Sequence, residues 1–183
     1  MGFTRAPCLL PSDIRGTTGR PRGKERVVIE PVWTDPRIVQ WTQWLLDSYR
    51  QWISRDLIER TGGPEQQART LFDSLRVVVS HGMEADPLIN YANRAAQELW
   101  EMPWERLVTM PSRLTAEPGT RAERERMLDE VRRQGYTDRY RGVRVTATGR
   151  RFLVESATVW NVLDGTGVRV GQAASFIRWQ RMP

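Results

Sequence analysis

The chain contains a single histidine, His81, with Glu84 and Asp86 three and five positions behind it. An imidazole next to two carboxylates is material for a metal site or for acid/base catalysis. Zinc needs three or four converging ligands, mostly His and Cys. The only cysteine, Cys8, lies far away in the N-terminal tail, so the ligand count argues against zinc. A nucleophile triad from Ser80 or Ser112 with His81 and Asp86 is also weak, because adjacent residues of an extended segment point to opposite faces and Ser80 cannot serve His81. What survives is an acid/base set of His81, Asp86 and Glu155, if burial in an apolar pocket tunes the carboxylates. A plainer reading stands beside it: Asp86-Pro87 is what a turn into a strand requires.

The eight tryptophans raise a second possibility, an aromatic cage or a stacking surface for nucleic acid. Trp41, Trp44 and Trp52, however, recur at helical spacing with Ile38, Leu45, Tyr49 and Ile53, which is how a helix seats on a core or a partner.

The elements that must position these groups follow from punctuation. Asp35-Pro36 caps and starts a helix expected over residues 36–60, stopped by Thr61-Gly62-Gly63. Pro64 opens a shorter helix to about residue 74. Strands are expected over 75–80, with its run of valines, and 87–92; Asn93 then caps a helix over 94–101. Prolines 103, 111 and 118 leave room only for short helical turns. Thr120 and Glu123 form a capping box for a helix to about residue 134, closed by Gly135. Three long strands end the chain, over 139–148, 151–163 and 168–180, joined by turn-forming segments at 147–150 and 164–167. In the middle strand, simple alternation puts Phe152, Val154, Thr158, Trp160 and Val162 on one face and Leu153, Glu155, Ala157, Val159 and Asn161 on the other.

At 183 residues the chain suits one domain with an extension. Most of its net charge of +6 lies in the first 29 residues, where six basic side chains face only Asp13 and Glu25. A Gly, Pro and Arg-rich terminus is expected to be a disordered arm, which argues against nucleic acid as the main partner. The stretch from Gly16 to Lys24 lacks the spacing and the following Ser or Thr of a phosphate loop. There is no apolar run of membrane-spanning length, no signal-peptide core, and Ala6 breaks the myristoylation pattern, so a cytoplasmic protein is expected.

Two strands, several short helices and a three-stranded meander is the element order of a PAS domain. Leu88-Ile89-Asn90-Tyr91-Ala92-Asn93-Arg94-Ala95-Ala96 resembles the PAS segment in which the second strand ends in Asn and runs into a helix. The segments His81-Gly82-x-Glu84-Ala85-Asp86-Pro87, Leu99-Trp100-Glu101, the run from Met110 to Glu117, Gln134-Gly135-Tyr136 and Tyr140-Arg141-Gly142-x-Arg144 resemble the bacterial MEKHLA family over about residues 33–180. The resemblance implies an α+β fold: a PAS-like five-stranded antiparallel sheet, short helices on one face and a long N-terminal amphipathic helix. The expected division is a basic arm over 1–32, helices over 33–74 and a PAS-like core over 75–181.

It also implies a cavity. His81, Asn93, Trp100, Trp104, Ser112, Arg113, Glu155, Trp160 and Gln172 are its candidate lining, with a solid core as the alternative. Flavin-binding photosensory PAS domains carry Asn-Cys-Arg-Phe-Leu, and Ser112 stands where that Cys would be, so a thiol adduct is excluded while noncovalent flavin stays open. Haem lacks an axial histidine in the helix before the meander. The resemblance implies a stand-alone, non-enzymatic sensory or regulatory module that binds a small molecule or a protein and signals through residues 36–60, which could also form a homodimer. A small-molecule enzyme using His81, Asp86 and Glu155 remains the alternative.

Overall fold

The computed structural model describes residues 30–117 and 121–183. The basic arm to residue 29, Cys8, the Gly16 to Lys24 stretch and the Thr120 cap lie outside the described residues. A 3-10 turn at Val32–Thr34 leads into α1 (Pro36–Ile53). The Asp35 side chain caps α1 by accepting from the Arg37 amide at 2.8 Å. The helix ends seven residues before the expected point: Ser54 adopts a left-handed conformation (φ 59°, ψ 24°), and the chain doubles back to bury Leu57. Arg60 then bonds to Gln43 of α1 and Gln67 of α2 (Pro64–Asp73), so residues expected as helix instead tie the two helices together.

Strands β1 (Val77–His81) and β2 (Ile89–Ala92) pair antiparallel, followed by α3 (Arg94–Trp100), the single turn α4 (Trp104–Leu107) and a second 3-10 turn at Ser112–Thr115. Helix α5 (Arg121–Gln134) ends at Gly135, whose φ of 96° suits a residue without a Cβ. The meander is β3 (Tyr136–Val145), β4 (Arg151–Leu163), β5 (Arg169–Phe176) and β6 (Trp179–Arg181). The expected third meander strand breaks at residues 177–178, and its two parts, β5 and β6, both pair with β4. The sheet order is β2-β1-β5-β4-β3, antiparallel throughout.

Both faces of this sheet are covered. On one, Val77, Ile89, Phe152, Val154, Ala157 and Phe176 pack with Ala96, Trp100 and Leu107 of the short helices. On the other, Val78, Tyr91, Trp160, Val162 and Ala173 meet Leu45, Leu46 and Tyr49 of α1 and Leu71 of α2. The tryptophan stripe of α1 is thus seated on its own sheet, and the N-terminal helices share a continuous core with it.

The alternation expected in β4 fails in its middle. Gly142 pairs with Val154 but Tyr140 with Ala157, so β4 holds one extra residue there. Glu155 and Ser156 bulge outward, both exposed, and the strand changes parity. Phe152 and Val154 therefore share a face with Ala157 and Val159, while Trp160 and Val162 face α1.

Candidate functional site

A cavity of about 60 Å³ lies between the short-helix face of the sheet, the Ser112–Thr115 turn and α5. Its wall is mainly apolar, with Val79, Ile89, Val154, Val159 and Phe176 from the sheet and Met127 from α5. The polar groups include Ser80, His81, Ser112, Thr115, Tyr140, Arg144 and Gln172.

Strand parity explains the placement of two of these. His81 pairs with Gln172 across β1 and β5, and both side chains follow the cavity face. His81 Nδ1 lies 2.9 Å from the Gly82 carbonyl oxygen, which can only accept, so Nδ1 is the donor in this contact. The carboxylates behind it do not join it. Glu84 is exposed and folds over Gly82, while Asp86 makes a two-pronged ion pair with Arg113 at 2.9 and 3.0 Å on the surface. Among the described residues no three His, Cys, Asp or Glu side chains converge as metal ligands.

Of the nine expected cavity residues, His81, Trp100, Ser112 and Gln172 line it. Arg113 is held at the surface by Asp86, and Glu155 sits on the exposed bulge of β4. The acid/base set of His81, Asp86 and Glu155 therefore does not assemble. Trp160 is fully buried on the opposite face, edge-on to Tyr49 at 5.1 Å, because the bulge reverses its side. Trp104 packs edge-on against Tyr91, also on that face. There burial pushes the Tyr91 phenol well above an ordinary tyrosine, so it stays protonated.

Asn93 is a backbone staple. Its Oδ1 accepts from the amides of Val78 (3.0 Å) and Ala96 (3.1 Å), and its Nδ2 donates to the carbonyls of Leu71, Ser74 and Arg76. One buried side chain thus closes α2, starts β1 and caps α3.

The cavity residues missed from sequence include Tyr140, Arg144 and Thr115. Tyr140, Gly142 and Arg144 occupy alternate positions of β3, which puts them on one face. A Cβ at Gly142 would collide with the Tyr140 hydroxyl, so the glycine lets the phenol fold along the strand toward Arg144. The guanidinium carbon lies 4.9 Å from the Tyr140 ring centroid. Desolvation lowers the Arg144 pKa from its ordinary value, and Tyr140 opposes the shift. The alternating Tyr-x-Gly-x-Arg spacing was the available signal.

A flavin does not fit the cavity as it stands, since sites for ligands of that size run from about 300 Å³ upward. Two connections lead from the cavity strands to α1. Trp41 Nε1 donates to Ser80 Oγ (2.9 Å), next to His81. Gln172 Nε2 donates to Asn161 Oδ1 (3.1 Å), and the Asn161 carbonyl accepts from Trp52 Nε1 (2.9 Å).

Comparison with solved structures identifies the architecture. The PAS domain of a Colwellia psychrerythraea protein superposes with a TM-score of 0.55 at 13% identity, covering 64% of this chain and 95% of that one. A light-oxygen-voltage domain studied with a flavin analogue gives 0.51 at 15% identity, over 64% of this chain and 85% of its own. In sequence, the homeobox-leucine zipper protein ATHB-9 of Arabidopsis thaliana is 23% identical over 151 residues, 80% of this chain but only 18% of that protein. The MEKHLA domain model matches residues 39–181, from within α1 to the last strand. The chain belongs to the MEKHLA domain family, and its fold is PAS-like.

Proposed function

We propose that this protein is a sensory or regulatory module in which a small molecule in the cavity changes how α1 sits on the sheet. The observation that carries this is the sharing of strands. β1 and β5 present His81 and Gln172 to the cavity and, at neighbouring positions, Ser80, Gly171 and Ala173 to α1. Occupancy shifts α1 only if the ligand prefers one arrangement of these strands over another. The α1 face released in that way would be the surface offered to a protein partner or a second copy.

The site supports this better than catalysis, because Asp86 and Glu155, the carboxylates expected to work with His81, both lie at the surface away from the cavity. The test is native mass and absorption of the freshly purified full chain, followed by hydrogen exchange of α1 before and after any bound molecule is stripped. Extra mass together with altered exchange at residues 36–53 is the expected result. A bare-mass protein whose α1 exchange and melting temperature respond to no small organic molecule in a broad screen would refute the reading.

A further inference from the structure

We infer that the cavity is a small-carboxylate site, in which Arg144 takes the carboxylate and the apolar wall takes a short carbon chain. The inference rests on the sensory reading above and names its ligand class. Arg144 lines a mainly apolar cavity, yet no carboxylate pairs with it among the described residues. Its guanidinium bonds to the Val143 carbonyl through Nη1 at 3.1 Å and to the Tyr140 side chain, which leaves part of a five-donor fork for a ligand. A partly desolvated cation without a counter-charge is costly, and a planar carboxylate matches the fork bidentately. Tyr140, stacked on the guanidinium, restricts its orientation.

A second donor points the same way. Trp100 lines the cavity, is 2% exposed, and its buried indole N–H meets no acceptor. It stacks edge-on to Phe152 at 5.4 Å, and Phe152 is the cross-strand neighbour of Arg144. Two donors around one ring in a mainly apolar chamber call for a ligand with acceptor oxygens at one end. Size narrows the class, because about 60 Å³ is less than half of the ~150 Å³ that takes a benzene. Acids of two to four carbons fit that scale, whereas an aromatic acid needs the wall to move.

The test titrates the full chain with acetate, propionate and butyrate at fixed pH and ionic strength, with propionamide, 1-butanol and inorganic phosphate as comparators. Binding is followed by the Trp100 indole N–H resonance and by melting temperature. The acids are expected to bind at least tenfold tighter than the neutral analogues and than phosphate. Arg144→Met is expected to lose at least tenfold in acid affinity while raising the ligand-free melting temperature, because it removes an uncompensated charge. Arg144→Lys, which keeps the charge without the fork, should fall between.

Neutral analogues binding as well as acids would overturn the carboxylate assignment and leave the sensory reading standing. So would phosphate binding in preference to the acids, or an Arg144→Met protein that is destabilised and loses acid and neutral ligands alike. If nothing binds and the purified protein has its bare mass, both fall.

Discussion

Replacing Asn93 by alanine separates a structural role from a cavity role. The substitution deletes a helix cap, worth about 1 kcal/mol, and strands the Val78 amide as a buried donor, at roughly 1–3 kcal/mol. The carbonyls of Leu71, Ser74 and Arg76 lose a shared donor. A total of about 3–5 kcal/mol is expected, since the losses share one site and do not simply add. At roughly 2–4 °C per kcal/mol for a chain of this size, melting should drop by about 6–20 °C. Asn93→Asp keeps the acceptor but points an anion at three carbonyl oxygens in a buried site, which raises its folded-state pKa. Its deficit relative to wild type should therefore be smallest below the ordinary Asp pKa and grow as pH rises through that value. Urea unfolding at pH 4 and pH 7 measures both. An alanine variant within 1 kcal/mol of wild type, or an aspartate variant with no pH dependence, would refute the staple.

Trp52→Phe removes the indole bond to the Asn161 carbonyl while keeping most of the ring that fills the space over Gly135. A loss of about 1–3 kcal/mol is expected in denaturant unfolding, with weaker protection of α1 amides in hydrogen exchange. At the β4–β5 turn, the hydroxyl and amide of Thr166 and the amides of Val168 and Gly167 hold the Asp164 carboxylate below the usual range. Its contribution is present above the unfolded-state pKa and disappears as pH falls through the lower folded-state value. The stability gap between wild type and Asp164→Asn should accordingly close on acidification; a gap that persists below pH 2 contradicts the assignment.

Local chemistry made part of the fold legible. Asp35-Pro36, the Asn93 cap on Ala96 and the Asp164 turn act through groups within a few residues of themselves, so the sequence displays both partners. The end of α1 was not legible in this way. Nothing near Ser54 forbids helix, and the stop depends on Leu57 reaching the core and Arg60 meeting Gln43 and Gln67. The β4 bulge has the same character, because an extra residue is defined only against the register of β3. That one slip moved Trp160 out of the expected cavity. Arg144 was passed over because an arginine in an alternating strand usually points to water, and only the covering by α5 and the Ser112–Thr115 turn makes its face an interior.

A close junction lies where cavity and α1 meet. A Cβ at Gly171 would strike the His81 carbonyl oxygen on one side and crowd the Trp41 ring on the other. Trp41 in turn holds Ser80, which also donates to Asn90 at 2.7 Å on β2. Between the backbone that presents His81 to the cavity and Trp41 on the far face there is therefore no room for a side chain at Gly171. Close-packed interiors do not absorb such displacements gradually; they transmit them or resist them. A ligand that pulls the His81–Gln172 pair must carry Gly171 with it, and Trp41 has then to follow or to lose its bond to Ser80. The proposed coupling between cavity and α1 would therefore require no hinge and no long pathway, only the lack of slack at a position where the sheet has no side chain.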